Sequence, residues 1–433
     1  MKLSPQRRIA LRQVSLEIRF KGTLVQRTYQ IMWLPIYDWV RILDRLISVI
    51  FNPTPMKLVT PKLRGALTIA LLCFCPILCG YEGDVTDVTT IDTLDQSGPY
   101  NKIWEPHFAK WTESHYICAY GLQVRGKVDM GDIVVSLSRD KGETWSPRIM
   151  VFDHRIRNGT VQYAYNNSVL FRPPNQDIVW LFAMRAPLHY RDSENADLVA
   201  AYTADGGYSW HHVELALGYQ GSLIIVAGIE TVERDGVTYY LLPAHRNSQR
   251  HDPYGDRRQF VLESKNLLKW NLASYIDYPA EKPVFLHEGK IAQTDDSSVL
   301  KIVMRTATMD RERAIDPPLA YSSISDDGGQ SWSLAQPEPE LPNYRAKSFF
   351  GKDANGNHIY VYSNRSERHG LYYKIKSPGG SWSRQKTFYF QNNRNSYPTL
   401  VEDAPGRWLS VWDSSNNMDS RRTVIRFGII EVE

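Results

Sequence analysis

The 433-residue chain has little cysteine, and the few that occur are unevenly placed. Cys73, Cys75 and Cys79 fall within one short apolar run, and Cys118 alone lies in the rest of the chain. A single cysteine cannot form an intramolecular disulfide. Cys118 lies in the strand-like stretch YICAYG, so we interpret it as a small buried apolar residue and not as a reactive thiol.

The marks of several other protein classes are missing too. After residue 85 the chain has no long helical periodicity, no cysteine–histidine cluster, no phosphate-binding loop and no glycine-rich dinucleotide motif. We therefore expect no cofactor and no metal ion. Residues 1–80 hold 12 Lys and Arg against 3 Asp and Glu, whereas the remainder holds 39 against 44. A mildly acidic body does not favour nucleic-acid binding.

The basic excess belongs to an N-terminal region with the layout of a leader. From Met56, three basic residues precede an apolar run that extends from Ala66 to Cys79. This layout is typical of a secretory signal peptide, and the run is shorter than the about 20 residues of a membrane span. We expect residues 56–80 to direct export to the periplasm or the medium, with membrane attachment only through an uncleaved or lipidated leader.

Residues 1–55 precede what we interpret as the better translation start at Met56. We therefore interpret this segment as untranslated, and a basic, membrane-associated N-terminal extension is the alternative. Residues 81–433 then form the functional domain.

That domain contains a repeated eight-residue pattern, Ser/Thr-x-Asp-x-Gly-x-Ser/Thr-Trp. Complete copies begin at Ser138, Thr203 and Ser325, and weaker copies begin at Ser264 and Ser377. The starts are 65, 61, 61 and 52 residues apart, a period that suits a propeller blade of four short strands. The segments between them are short, β-branched or aromatic, and bounded by turn residues. The pattern predicts an all-β fold, a six-bladed β-propeller of four-stranded antiparallel blades.

Each part of the repeat has a structural explanation. The aspartate accepts hydrogen bonds from backbone N–H groups in a tight turn, the glycine permits the backbone angles of that turn, and the tryptophan packs between blades. Because the element recurs from blade to blade, we interpret it as scaffold and not as a catalytic centre.

These repeats are Asp boxes, and from about residue 95 onward the chain resembles the sialidase superfamily of six-bladed propellers. In that family an acid/base aspartate lies six residues before the serine of the first box, which Asp132 matches, with Asp129 as the nearby alternative. Glu288 and Arg305, 17 residues apart, resemble the glutamate and arginine of the family's site. The segment NSYPTLVED resembles the one that carries the nucleophilic tyrosine, here Tyr397.

Three further arginines fall at positions that resemble substrate-binding ones. Arg125 lies a few residues before the acid/base position, and Arg246 follows the third-blade strand TYYLLPAH. Arg368 matches the last arginine of the carboxylate-binding triad, with Arg365 as the alternative.

The chain departs from the family at the first arginine of that triad. The family has Arg-Ile-Pro at the start of the first blade, where this sequence has Trp104-Glu105-Pro106. A tryptophan cannot form the charge-assisted bonds that an arginine makes to a carboxylate. One of three carboxylate contacts is therefore missing unless Arg125 or Arg246 replaces it.

The resemblance implies an exported exo-glycosidase that removes a terminal sialic or other acidic sugar from glycans with retention. Sialidases use a tyrosine in place of the second carboxylate of most glycosidases. By this resemblance Glu288 deprotonates Tyr397, which attacks the anomeric carbon, and Asp132 protonates the leaving oxygen. Arg305 and Arg368 bind the substrate carboxylate in bidentate fashion.

Two other functions stay open at the level of sequence. One is a sialidase-fold propeller without sialidase activity, which binds glycans or acts on another polysaccharide, and the loss of Arg-Ile-Pro favours it. The other is a protein-interaction propeller, which no specific residue favours. We expect a monomer whose partner is a glycan.

Overall fold

The computed structural model describes residues 12–20 and 23–31, and the chain from residue 83 to residue 432 except residues 128, 159–160, 189–195, 220–222, 247–257, 282, 310–312, 364–367, 392–393 and 416–422. The chain forms two compact units, Met1–Cys79 and Gly80–Glu433. In the first unit, β1 (Arg12–Phe20) pairs antiparallel with β2 (Thr23–Ile31). The predicted leader at residues 56–80 lies outside the described residues. Among the described residues, no helix has the length and apolar character to cross a membrane.

The described part of the second unit is all-β, which confirms the predicted fold class. Its strands are β3 (Thr86–Thr93), β4 (Tyr100–Lys110), β5 (Tyr116–Val124), β6 (Gly131–Ser138), β7 (Ile149–Phe152), β8 (Arg157–Asn158), β9 (Val161–Phe171), β10 (Val179–Pro187), β11 (Asp197–Thr203), β12 (His211–Val213), β13 (Ala216–Leu217), β14 (Ile224–Ile225), β15 (Glu230–Arg234), β16 (Val237–His245), β17 (Gln259–Ser264), β18 (Lys269–Ile276), β19 (Val284–Gln293), β20 (Leu300–Thr308), β21 (Leu319–Ser325), β22 (Gln336–Pro342), β23 (Phe349–Lys352), β24 (His358–Ser363), β25 (Gly370–Lys376), β26 (Lys386–Phe390), β27 (Asn395–Ala404), β28 (Arg407–Ser414) and β29 (Val424–Glu431).

Consecutive strands pair antiparallel in six groups, which we number along the chain. The groups are β4–β7, β9–β12, β14–β18, β19–β22, β23–β26, and β27–β29 together with β3. This succession of small antiparallel sheets is propeller-like. One residue pair, Gly131 with Tyr165, joins the first two groups into a nine-stranded sheet, so the count of six blades stays a prediction.

The first strands of the groups, which we call the inner strands, pack against one another in a ring. β4 packs against β9, β9 against β14, β19 against β23, β23 against β27, and β27 against β4, while β19 meets β16 between the third and fourth groups. The ring is closed by β3, which pairs with β29 and completes the sixth group. The second and third strands of the first group are almost completely buried, as in β6, where every residue is buried, whereas an outermost strand such as β22 is largely exposed.

The Asp boxes lie at one end of the groups, in the turns that follow the third strands. In the first box, the Ser138 hydroxyl accepts a hydrogen bond from the backbone N–H of Gly142 at 2.8 Å and donates to Asp140 at 2.8 Å. Asp140 accepts from the backbone N–H of Thr144 at 2.9 Å. The second and fourth groups carry the same bonds. The boxes are the tight turns that the sequence predicts, and we call their end of the unit the box rim.

The boxes also join neighbouring groups, as predicted. The ring of Trp145 lies 5.6 Å from that of Phe427 in the sixth group, and its indole N–H donates to the Gly142 carbonyl at 3.1 Å. Gly142 has φ 90°, and a Cβ there would lie 2.3 Å from the Phe427 ring. The position therefore requires glycine for both its backbone angle and its space.

The opposite end, where first strands begin and second strands end, we call the far rim. Near it, residues of the inner strands or of the segments beside them adopt positive φ: Glu105 (54°), Asn167 (55°), Gly228 (110°), Glu288 (52°), Arg345 (55°) and Tyr397 (55°). Bulges interrupt the ladders at Glu105, Glu288 and Tyr397. For a non-glycine residue this backbone costs about 1–3 kcal/mol, and such strain concentrates at functional sites.

Candidate active site

Three residues that the sequence singles out contact one another between the fourth and sixth groups. Glu288 lies in β19, Arg305 in β20 and Tyr397 in β27, and all three are more than nine-tenths buried. Arg305 Nη1 donates to Glu288 Oε1 at 2.7 Å and to the Tyr397 hydroxyl at 3.3 Å. The Tyr397 hydroxyl donates to the same Oε1 at 3.5 Å. We call these three residues the Glu288 group.

The neighbouring third group positions Glu288 through its backbone. The N–H of Glu288 donates to His245 Nδ1 at 3.4 Å, and the N–H of Gly289 donates to Gln259 Oε1 at 3.1 Å. Burial lowers the pKa of His245 to about 4, so its ring is a neutral acceptor at physiological pH. His245 thus acts as a local hydrogen-bond acceptor, and it stabilises the bulge at Glu288.

The charges of the Glu288 group suit a base beside a neutral nucleophile. Burial opposes ionisation of Glu288, but the charge and hydrogen bond of Arg305 lower its pKa below the usual value. Burial raises the pKa of Tyr397, and Glu288 adds to this effect. The pair therefore consists of a carboxylate and a protonated hydroxyl. Glu288 Oε2 is buried without a hydrogen-bond partner among the described residues, which leaves acceptor capacity at the site.

Arg368 completes the convergence of four predicted residues. Its guanidinium lies 5.1 Å from the centroid of the Tyr397 ring, and Nη2 donates to the Arg345 carbonyl at 2.5 Å. Arg368 has φ 59° and is mostly buried. Two arginines thus flank the Tyr397 side chain.

Lys347 is a further buried cation near Tyr397, and the sequence did not single it out. Its Nζ donates to Thr399 Oγ1 at 2.9 Å and lies 5.9 Å from the centroid of the Tyr397 ring. The side chain is 2% exposed. Burial lowers its pKa to about 8, against the attraction of Glu105, Glu288 and Asp413. Its place in sequence, in the stretch RAKSFF, carries no motif, so only the packing of the fifth against the sixth group indicates it.

The Trp104-Glu105-Pro106 segment places an anion, and no arginine, on the first inner strand. Trp104 is fully buried and its ring packs on Gly121. The backbone N–H of Glu105 donates to Asp413 Oδ2 at 3.0 Å, and the Asn167 amide donates to Glu105 Oε2. The carboxylate contact of the family's first arginine is therefore absent from this position, as the sequence predicts.

Asp132 lies at the far-rim start of β6, in a corner of hydrogen-bonded polar groups. Its Oδ1 accepts from the backbone N–H and from the ring Nδ1 of His154, both at 2.6 Å, and its Oδ2 accepts from the Tyr100 hydroxyl. Asp132 is 0% exposed. Sequence reasoning missed His154, which lies two residues after the end of β7 and outside any motif. We call Asp132, His154 and Tyr100 the Asp132 corner.

One further acidic residue lies beside this corner. Donor atoms of Asp132, Asp153 and His154 lie within 4.8 Å of one another. Asp153 accepts a hydrogen bond from Arg155 Nη2 at 2.6 Å, and Arg155 lowers the pKa of this carboxyl. Each carboxylate thus has its own partner, and we assign no metal here.

The structure places the remaining predicted residues outside the contacts of the Glu288 group. Arg125 donates to the backbone carbonyls of Gln96 and Gly98, so its guanidinium is engaged with the segment before β4. Arg246 directly follows His245, the last residue of β16, whose ring contacts the bulge at Glu288. Asp129, the alternative to Asp132, pairs with Lys102 at 2.5 Å. Arg365, the alternative to Arg368, lies outside the described residues.

A cavity of about 600 Å³ lies near the box-rim ends of the inner strands, away from the Glu288 group. It is lined by residues from β19, β23 and β27, including Lys290, Lys352 and Glu402. Because the cavity lies toward the box rim, it is separate from the Glu288 group and from the Asp132 corner.

A family model described as BNR repeat-like domain matches residues 126–408. The chain belongs to this family, and its fold is that of the sialidase-like superfamily. No curated protein matches the sequence.

Solved structures of glycoside hydrolases share the fold. The NanB sialidase from Streptococcus pneumoniae is 10% identical with a TM-score of 0.59, over 79% of this chain and 70% of that one. The Hadza microbial sialidase Hz136 is 15% identical with a TM-score of 0.60, over 79% and 68%. The α-L-arabinanase of Penicillium chrysogenum is 13% identical with a TM-score of 0.55, over 80% and 98%.

Proposed function

We propose that the protein is an exo-glycosidase of the sialidase type, which hydrolyses a terminal acidic sugar from glycans with retention. The buried contact of Glu288, Arg305 and Tyr397 is the observation that carries this proposal. A tyrosine, a carboxylate base and a guanidinium are what a retaining enzyme needs when its substrate carries a carboxylate at the reacting carbon.

In the first step, Tyr397 attacks the anomeric carbon and gives its proton to Glu288. The bond between the anomeric carbon and the leaving oxygen breaks, and that oxygen takes a proton from the Asp132 corner. Water then attacks the anomeric carbon of the tyrosyl-linked sugar and gives a proton to the Asp132 corner. The bond between the anomeric carbon and the Tyr397 oxygen breaks, and Glu288 returns the proton to that oxygen. A neutral nucleophile avoids the repulsion that a carboxylate nucleophile would exert on an anionic sugar.

The substrate carboxylate is bound by arginine. Arg305 and Arg368 reach the two sides of Tyr397, and planar guanidinium groups pair with carboxylates in bidentate fashion. Lys347 supplies the third positive charge near Tyr397, in place of the arginine that Trp104 replaces.

The second candidate function is a propeller that acts on another polysaccharide or only binds glycans. Glu105 favours it, because an anion on the first inner strand is unfavourable for a carboxylated sugar. The fold that the chain shares with an arabinanase is compatible with this alternative.

Hydrolysis of a fluorogenic panel of sialosides, uronides and neutral glycosides tests the proposal. We expect turnover of an acidic glycoside by the wild type, and a loss of at least about 1,000-fold in Tyr397→Phe. Tyr321→Phe, at a buried tyrosine in β21 away from the Glu288 group, is the matched control and should keep its activity. Turnover of neutral glycosides alone would support the second candidate, and no turnover at all would reject the enzyme.

Export is also a proposal, and it depends on residues 56–80 alone. We expect the natural protein to be secreted or periplasmic and to begin after residue 80. N-terminal sequencing of the protein from its source tests this, and a peptide from residues 1–55 would contradict our interpretation of that segment.

A further inference from the structure

Asp132 is poorly placed to give a proton to a substrate. It has no exposed surface, and three donors from His154 and Tyr100 already bind its two oxygens. To reach a glycosidic oxygen it would have to break those bonds and leave the strand position that holds it.

His154 has the exposure and the free ring edge that Asp132 lacks. Its side chain is 13% exposed, against 0% for Asp132. We assign Nδ1 as the donor in the 2.6 Å contact with Asp132 Oδ1, which makes Nε2 the nitrogen that can exchange a proton. In the described part of the chain nothing hydrogen-bonds to Nε2. A carboxylate that orients an imidazole and stabilises its charged form is the arrangement of many acid/base histidines.

The Asp132 corner borders the Tyr397 side of the site. Met130, two residues before Asp132, packs in one cluster with Ala164 and Tyr397. Two residues of chain span at most about 7 Å. Gly131 also pairs with Tyr165, the neighbour of Ala164 on the second inner strand. His154 therefore lies on the far rim, where Asp132 joins it to the strand start whose neighbour Met130 packs with Tyr397.

We infer that His154 is the residue that protonates the leaving oxygen and then activates water, and that Asp132 positions it. This inference rests on the proposed glycosidase function. In the first step the imidazolium Nε2–H gives its proton to the glycosidic oxygen as the anomeric bond breaks. In the second step neutral Nε2 takes a proton from the water that attacks the tyrosyl-linked sugar, which restores the imidazolium.

Charged and titratable groups surround the ring of His154. The titratable and charged groups that face it are Asp132, Asp153, Arg155, Tyr100 and Tyr165. Arg155 is engaged with Asp153, and burial raises the pKa of both tyrosines, so they stay neutral. The remaining charge in contact with the imidazole is the Asp132 carboxylate.

The dependence on the leaving group tests the inference. In His154→Asn the amide nitrogen replaces Nδ1 and keeps the bond to Asp132, but no titratable nitrogen remains. We expect kcat/KM to fall about 100- to 10,000-fold for a substrate whose leaving group is a sugar or an alcohol. For a glycoside of an acidic phenol, which needs no proton, we expect less than about a tenfold loss. His211→Asn, at an exposed histidine in β12, is the matched control.

Two results together would overturn the inference and leave the proposed function in place. These are an equal kcat/KM of His154→Asn and wild type on both substrates, and inactivation of the enzyme by Tyr397→Phe. No turnover of any acidic glycoside by the wild type would overturn both. If His154→Asn does not fold, the pH profile of kcat/KM of the wild type tests the inference. The profile should fall at alkaline pH for the substrate with an alcohol leaving group and should not fall for the phenol glycoside. Identical profiles for the two substrates would contradict the inference.

Asp132→Asn separates positioning from direct catalysis. If Asp132 only stabilises the imidazolium, its loss should move the alkaline fall of kcat/KM to lower pH and keep its shape. If Asp132 itself is the acid, that fall should disappear from the profile, and our assignment would be wrong.

Discussion

At the scale of single residues, the site depends on charges that are buried together. Glu288, Arg305 and Lys347 are each less than one-tenth exposed and lie around one tyrosine. A buried charge is costly unless it is paired, so removing one member leaves its neighbours uncompensated. The pairing also sets the protonation state of each group, which makes the site sensitive to pH.

Lys347 gives a prediction about stability. Burial lowers its pKa to about 8 from an ordinary value of 10.5. Between these values the unfolded chain binds a proton that the folded protein does not, so stability rises with pH across this window. Below pH 8 both states are protonated and the contribution is constant.

In Lys347→Met this pH dependence should be absent. The difference in unfolding free energy, wild type minus variant, should therefore increase between about pH 8 and about pH 10, by at most about 1.4 kcal/mol per pH unit. Urea unfolding at several pH values measures it. Lys269→Met, at an exposed position, is the matched control, and a Lys347→Met difference that does not change with pH would contradict the assignment.

Sequence reasoning found the residues whose local motifs are strong. Glu288, Arg305 and Tyr397 stand in strand segments that resemble the family's, and the structure brings them together. Lys347 and His154 stand in unremarkable segments. Their roles come from contacts with residues 52 and 22 positions away, which no local pattern encodes. The burial of Asp132 was missed for the same reason.

At the scale of elements, the Asp box is a turn whose stability depends on one carboxylate. Burial opposes ionisation of Asp327, but hydrogen bonds from Ser331, Ser325 and the backbone N–H of Gln330 lower its pKa to about 2. A folded-state pKa below the unfolded one contributes stability at neutral pH, which is lost as pH falls through about 4 to about 2.

Asp327→Ala should lower the free energy of unfolding by about 1–3 kcal/mol at neutral pH, because several hydrogen-bond donors of the turn lose their shared acceptor. The difference from wild type should shrink toward pH 2. The kcat per folded molecule should not change, since the box rim is opposite to the site. Asp326→Ala, at the exposed neighbouring position, is the control, and equal losses in the two variants would argue against the turn's role.

At the scale of the whole second unit, the inner strands stay in place because the ring of groups is closed. The closing strand β3 pairs with β29 more than 330 positions along the chain. The repeat predicted a propeller from box spacing, but β3 carries no box, and in its segment TDVTTIDT only one residue is buried. Closure by the first strand is a long-range pairing, so local patterns did not indicate it.

Ile91 tests how much the closure contributes. It is the buried residue of β3 and packs in one cluster with Ile103 of the first group and Ile425 of the sixth. Ile91→Ala should cost about 2–5 kcal/mol in thermal or denaturant unfolding, as a large-to-small change in a packed core. Thr93→Ala, exposed on the same strand, should change stability by less than about 0.5 kcal/mol. Similar small effects in both would show that the strand closes the ring only weakly.

The most direct test of the whole account is the identity of the residue that becomes linked to the sugar. A good substrate from the panel, with fluorine beside the anomeric carbon and a reactive leaving group, slows hydrolysis of the intermediate and allows it to accumulate. We predict that peptide mass spectrometry finds the sugar on Tyr397 in the wild type and on no residue in Tyr397→Phe. A sugar attached to another residue, or steady turnover without any linked sugar, would contradict the account.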